Sequence, residues 1–188
     1  MALGFDRYSF YCIRVEQLSD GTFEVADEEK DLERDFLGLR FKSLSGVGDY
    51  GKVKGVYSES YAEVDGVSVY ISSDVVREQS EVKLSLHFLC ADDTVTDMSS
   101  QEDAARSVYE AFMDFISGCL LVYRDTIRQR RMLLYLDEAS EPSTDCVNGK
   151  AYLTVQFTLK SVFGRSFPLD DTTIAEYLGV DEFPVYGS

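Results

Sequence analysis

The chain has 188 residues, with 18 Lys or Arg against 34 Asp or Glu, so its formal net charge at pH 7 is −16. This length suits one domain with a substantial core. The acidic balance argues against phosphate-backbone binding as the main activity, because such binding depends on Lys and Arg. No apolar run approaches the ~20 residues of a membrane span, and the N-terminal MALGFDRYSF lacks a signal peptide's basic flank and apolar segment. We therefore expect neither secretion nor membrane insertion.

The first part of the chain predicts strands separated by polar turns. Residues 8–18 are rich in aromatic and branched side chains, and Asp20-Gly21 marks a hairpin turn after them. Residues 27–35 form a charged connector, which we expect to be a solvated loop or a short helical turn. The segment FLGLRFKSL then predicts another strand.

Three glycines follow in the pattern G-x-G-x-x-G, at Gly46, Gly48 and Gly51. A dinucleotide-binding loop would need a following helix, and a kinase lid would need a much longer chain with further motifs. The next residues are strand-like instead. We therefore expect a flexible loop over residues 45–55 that is suited to contact with a partner.

Two more strands precede the central helix. Asp65-Gly66 marks a hairpin turn, and residues 67–72 alternate between Val or Ile and Ser or Tyr. Residues 81–90, EVKLSLHFLC, place four apolar side chains on one face and Lys83, Ser85 and His87 on the other.

One amphipathic helix is predicted over Ser99–Gly118. Ser99 and Glu102 match a capping box, and Gly118 can take the left-handed conformation that ends a helix. The apolar residues recur every three or four positions and form one stripe: Ala105, Val108, Phe112, Phe115 and Ile116. The helix therefore needs a partner surface, and the sequence offers only sheet.

Two strands, CLLVY and MLLYL, follow the helix and flank the basic cluster of this acidic chain: Arg124, Arg128, Arg130 and Arg131. The cluster is either a solvated hairpin tip or a contact for an acidic neighbour, such as another copy of this protein. A loop ending in Asn148-Gly149 leads to a strong final strand, AYLTVQFTLKSVF. Residues 169–188 are acidic with scattered aromatics, and we expect an arm that lies on a partner.

No residue set predicts catalysis, a cofactor or a metal. Four scattered cysteines, without a CxxC pair, and one histidine make a zinc site improbable. The dense acidic groups lie at 92–97 and 170–171, and nothing pairs them with a nucleophile. We predict no catalytic, cofactor-binding or metal-binding residues.

Together the elements predict an α+β, mostly β fold: an antiparallel sheet, split β-barrel or sandwich with one main helix packed against it. Five segments resemble tail proteins of phages and prophages of Bacteroides-type bacteria. The segments are GLRFKSLSG, REQSEVKLSLHFLC, YEAFMDFISG, YRDTIRQRRMLLYL and LTVQFTLKSVFGRSF. In element order, residues 38–168 are similar to the N-terminal split-barrel domain of distal tail and tail-tube proteins. We expect one such domain over residues 1–168, followed by the acidic arm.

The resemblance implies a non-enzymatic structural protein of the virion, made in the bacterial cytoplasm. It would form a ring, commonly a hexamer, or a tube or hub through which DNA passes. Its partners would be itself and other tail proteins, without specific nucleic-acid or membrane binding. The Gly loop, the Arg-rich hairpin and the C-terminal arm would be the contacts between subunits.

Two questions stay open at this point. Distal tail proteins often carry a further C-terminal domain, for which this chain is too short, so it could be a tube subunit, a distal hub or a completion protein. The alternative function is a β-barrel-like ligand- or peptide-binding module, which would need an interior cavity.

Overall fold

The computed structural model describes residues 10–48, 53–60 and 67–185, with side chains for 10–48 and 78–185. Three helices lie in this part of the chain: α1 Leu32–Asp35, α2 Met98–Ile116 and α3 Thr173–Leu178. The strands of the same part are β1 Tyr11–Gln17, β2 Phe23–Val25, β3 Lys30–Asp31, β4 Leu39–Ser45, β5 Val53–Ser60, β6 Val67–Arg77, β7 Glu81–Leu89, β8 Leu120–Asp125, β9 Arg130–Ala139, β10 Ser143–Val147, β11 Lys150–Ser161 and β12 Phe167–Pro168.

Ten of the described strands form one antiparallel sheet in the order β2-β1-β8-β9-β11-β7-β4, with β3, β10 and β12 paired to its members. Strands β5 and β6 pair antiparallel with each other as a separate two-stranded sheet. The predicted turn at Asp65-Gly66 lies outside the described residues. The predicted α+β, mostly β class is confirmed, and the large sheet runs as an open path from β2 to β4.

Helix α2 is the predicted central helix, but its N-terminal cap differs from the prediction. The cap is Asp97, whose carboxylate accepts hydrogen bonds from the backbone N–H and the hydroxyl of Ser100, both at 2.9 Å. The predicted capping box at Ser99 is wrong, because Asp97 reaches the free N–H groups first and Glu102 bonds to Arg106 and Thr144 instead. At the other end the helix stops at Ile116.

The C-terminal end of α2 is satisfied in two ways. Gly118 has a φ of 67°, the left-handed conformation that the sequence predicts. The Arg14 guanidinium on β1 also donates hydrogen bonds to the carbonyl oxygens of Asp114, at 2.7 Å, and Phe115. A cation at this end complements the helix dipole and ties α2 to the sheet.

The main core lies between α2 and one side of the sheet. Phe112 of α2 is 1% exposed and packs edge-on against Phe157 of β11, with ring centroids 5.3 Å apart. Phe36 and Phe88 complete this aromatic cluster at 5.5 and 5.9 Å from Phe112. The apolar stripe predicted for the helix therefore faces sheet, as its spacing requires.

A second core lies on the opposite side of β1, β8 and β9. There α3 buries Ile174, Ala175 and Leu178, and Ile174 and Leu178 join an apolar cluster that includes Phe167. Within the predicted C-terminal arm, α3 therefore packs against the sheet, while Asp170, Asp181 and Glu182 stay exposed. The three apolar residues lie on one side of this short helix, and Gly179, in the left-handed conformation, ends it. This acidic stretch can therefore fold back on the sheet.

The charged connector contains the short helical turn that was one of its two predicted forms, α1, but two of its acidic residues are buried. Glu29 and Asp31 are only 4% and 1% exposed. Asp31 caps α1 by accepting a hydrogen bond from the backbone N–H of Glu33 at 3.2 Å. The connector is therefore partly internal, because it supplies β3 and the carboxylate that pairs with an arginine of β8.

Candidate interaction surfaces

The Arg-rich hairpin is the first predicted contact, and its first arginine is internal. Arg124 makes a bidentate ion pair with Glu29, with N–O distances of 2.7 and 2.5 Å, and its side chain is only 14% exposed. It also stacks over the Tyr11 ring at 4.6 Å. The hydrogen bonds to Glu29 raise the pKa of Arg124. Such a pair fixes β8 to the connector and leaves little of Arg124 for a partner.

Arg130 and Arg131 are also used within the chain. Arg130 donates to the hydroxyl and the carbonyl oxygen of Ser166, at 2.6 and 2.9 Å. The Arg131 guanidinium lies 4.5 Å from the centre of the Phe183 ring, and burial lowers its pKa. Both arginines therefore hold the segments that follow β11.

Arg128 is the most exposed of the four, at 53%, and sits at the tip of the β8–β9 hairpin beside Ile127, which is 62% exposed. Its guanidinium bonds to Asp125 at 2.8 Å. Among the predicted arginines, this residue alone is placed mainly in solvent. The other three arginines of the cluster make contacts within the chain.

Two of the three predicted loop glycines lie in the described residues, and their environments differ. Gly46 has a φ of 87°, and a Cβ there would lie 2.1 Å from the carbonyl oxygen of Glu81. Gly48 has open space around it. Gly46 is thus required by the close approach of the chain to β7, whereas Gly48 is free for contact. Gly51 lies outside the described residues.

The edge of the sheet at β4 is partly closed by α1. The backbone N–H groups of Leu39 and Phe41 donate outside the ladder, to the carbonyl of Phe36 at 3.0 Å and to the Glu33 carboxylate at 2.7 Å. A partner strand would have to displace both bonds. This device limits strand addition at an exposed edge, so the faces of the sheet are the better surfaces for recognition.

One large surface was missed by the sequence reasoning: the outward side of β4, β7, β10 and β11, which we call the open face. It lies on the side of the sheet away from α2, and the second core covers only the neighbouring strands β1, β8 and β9 on that side. The side chains that β7 and β11 place there are therefore polar, such as Ser85, Thr154 and Gln156. His87 lies at its centre, 2.9 Å from the Thr154 hydroxyl and edge-on to Tyr152. The alternation in β7 and β11 predicts a polar side of the sheet, but it does not show whether another element packs against that side.

Three cations lie on the open face, and we call them the basic patch: Arg40, Lys42 and Lys83, all exposed. Arg40 is paired in register with His87, and Lys83 lies further along β7. Burial, and then the charge of Lys42, lowers the pKa of His87. Arg40 bonds to the carbonyl oxygen of Leu39, and the described residues give none of the three an ion pair.

Several of the acidic and cysteine side chains have structural roles. Asp92 and Asp171 accept hydrogen bonds within their own turns, which lowers their pKa values, and Asp93 pairs with Lys150. Burial raises the pKa of the Cys12 and Cys119 thiols, which makes them poor nucleophiles. Across residues 10–48 and 78–185, no group of three acidic, His or Cys side chains is placed to hold a metal.

Two other features bear on function. A shallow groove of about 250 Å³ lies beside β1 and β2, lined by Arg14, Glu16, Glu24 and residues 25–27. Its lining mixes charged residues with Val25 and Ala26, and its volume is below the usual ~300–1,000 Å³ of ligand pockets. In the part of the chain that is described, no helix has the length and apolar character to cross a bilayer.

A solved structure with a similar fold is that of SPP1 Dit (gp 19.1), described as a paradigm of the hub adsorption apparatus in phages that infect Gram-positive bacteria. The TM-score is 0.51 and the sequence identity 13%. The match covers 85% of this chain but 52% of Dit, so this chain spans about half the length of that protein. No protein-family model matches the sequence, and no curated protein matches it.

This likeness is one of fold. It supports the tail-protein type of fold that the sequence resemblance implies, and it gives no support to a Bacteroides-type origin. At this identity the positions of functional residues cannot be transferred from one chain to the other. The candidate surfaces therefore rest on the geometry of this chain alone.

Proposed function

We propose that this protein is a non-enzymatic structural subunit of a phage tail, which assembles with copies of itself into a ring, tube or hub around the path of the DNA. The observation that carries the proposal is the similarity of fold to SPP1 Dit over 85% of this chain. The protein would act in the virion, together with other tail proteins.

The interior of the described domain supports a structural role. The largest core side chains are fully buried: Phe88, Phe112 and Phe157 pack against each other, and Tyr123 stacks on Phe10. A ligand-binding barrel needs space at its centre, and these rings fill the space between α2 and the sheet. Asp92 and Asp171 are held in turns, Asp97 caps α2, and Cys12 and Cys119 are buried, which fits a protein without catalysis.

The charge of the chain supports the passage of DNA without capture. At a net charge of −16, the surface repels phosphates on average. A filter-binding assay at physiological salt should therefore retain no duplex DNA, since retention needs several Lys or Arg contacts. Retention comparable to that of a known non-specific DNA-binding protein would contradict this part of the proposal.

Negative-stain electron microscopy of the purified chain tests the proposal itself. We expect closed rings or stacked tubes of uniform diameter, because head-to-tail contacts with a closing rotation give rings. Images of dispersed single particles at every concentration would contradict self-assembly. Among the contacts expected from sequence, Gly48 and Arg128 are the exposed residues to vary in such assemblies.

A further inference from the structure

We propose that the basic patch on the open face binds an acidic stripe along α2 of a second copy of this chain. The inference rests on the proposed function, since it names the surfaces through which the subunits meet. It moves the main contact from the Arg-rich hairpin to a part of the sheet that the sequence did not single out.

The basic patch is available for a partner. Arg40, Lys42 and Lys83 are exposed, and they lie on the two neighbouring strands β4 and β7. One acid, Glu81, lies on the same side of β7. It stands opposite Lys160 in the register with β11, and Lys160 is bonded to Asp137 at 2.8 Å. The patch is therefore a local excess of positive charge on a strongly acidic molecule.

The acidic stripe is the solvent side of α2: Asp103, Glu110 and Asp114. These residues are 7 and 4 positions apart, so they fall on one line along the helix. All three are exposed, and the described residues give their carboxylates no ion pair. Glu102, on a neighbouring line, is already held by Arg106 and Thr144.

The two surfaces lie on opposite sides of the same sheet. Alternation along β7 sends Val82, Leu84 and Leu86 into the core under α2 and their neighbours to the open face. One copy thus presents positive charge on one side and negative charge on the other. Such a molecule associates head to tail, and this heterologous contact gives closed rings when its rotation closes.

The spread of the basic patch over two strands favours a protein surface over a small ligand as the occupant. Ser85, His87, Thr154 and Tyr152 surround the patch with donors, acceptors and aromatic edges. Contacts between exposed charges give orientation and rate more than affinity, and they weaken as salt screens them. We therefore expect self-association through these surfaces to weaken as the salt concentration rises.

Paired charge reversals test the proposal by sedimentation velocity. One variant, Arg40→Glu/Lys83→Glu, makes the patch acidic; another, Asp103→Lys/Glu110→Lys, makes the stripe basic. Each alone should self-associate at least about 100-fold more weakly, since juxtaposed like charges oppose docking strongly. An equimolar mixture should regain association, because both contacts in an alternating assembly are then between opposite charges.

The control for the patch variant is Lys150→Glu/Arg165→Glu, which makes the same change in net charge at exposed residues outside the basic patch and the acidic stripe. It should associate like the wild type. Circular dichroism of every variant separates misfolding from lost contact.

Unchanged association of both reversed variants, beside an assembling wild type, would overturn this inference and leave the proposed function standing. A mixture that stays dissociated would overturn the pairing of these two surfaces. A wild type that is monomeric throughout would overturn the inference and the proposed self-assembly together.

Discussion

Replacing Arg124 with Met should destabilise the protein strongly, because it leaves the Glu29 carboxylate buried without its bidentate partner. The Glu29 side chain is 1% exposed, and both short bonds, at 2.7 and 2.5 Å, are lost. Breaking such a pair costs about 3–5 kcal/mol. For a domain of this size, that lowers the midpoint of thermal unfolding by about 6–20 °C. Differential scanning calorimetry measures the shift.

Arg106→Met is the matched control, since it also removes an arginine from an ion pair. Arg106 is 50% exposed and bonds to Glu102, which is 38% exposed. The variant should therefore lose less than about 0.5 kcal/mol of the free energy of unfolding. The double variant Glu29→Gln/Arg124→Met should lose less than the sum of its single changes, because the buried charge is gone. Equal stability of Arg124→Met and Arg106→Met would refute an internal role for Arg124.

Three further changes have defined outcomes. Gly46→Ala should lower the free energy of unfolding, measured in urea, by about 1–3 kcal/mol, because the backbone is left-handed and a Cβ would lie 2.1 Å from the Glu81 carbonyl oxygen. Gly48→Ala should change this free energy by no more than about 0.5 kcal/mol. Equal losses for the two variants would contradict this reasoning. Phe112→Ala should lower the free energy of unfolding by about 3–5 kcal/mol. A midpoint of thermal unfolding equal to that of the wild type would show that Phe112 does not hold α2 on the sheet. The pKa of His87 is lower in the folded chain than the ordinary value of 6.5, so the unfolded chain binds the proton more tightly. The free energy of unfolding should therefore fall as the pH drops through 6.5. The variant His87→Gln should lack this part of the pH dependence.

The elements with strong local signals could be predicted from the sequence. Alternation in β7 and β11 and the helical spacing of Ala105, Phe112 and Ile116 depend on neighbouring residues alone, so these elements and the fold class are confirmed. Gly118 likewise ends its helix through its own backbone freedom. The N-cap was misplaced because Asp97 and Ser99 both satisfy the local rule, and only the geometry of the first turn selects between them.

The surfaces could not be predicted in the same way, because their character depends on distant residues. Arg124 is internal only because Glu29, 95 positions away in sequence, is brought to it by β3 and β1. Residues 173–178 join the core because β1, β8 and β9 are apolar on both sides. Conversely, Arg40 and Lys83 are ordinary strand residues in sequence, and only the pairing of β4 with β7 brings them onto the same uncovered face.

The most direct test of the account is the mass of the purified chain in solution, measured by multi-angle light scattering over a wide range of concentrations. One chain has a mass of 21.2 kDa. We predict an assembly with an integral multiple of this mass, which dissociates as salt is added because exposed charges hold its subunits together. A mass of one chain at every concentration and at low salt would contradict the central claim that this protein builds a tail structure from copies of itself.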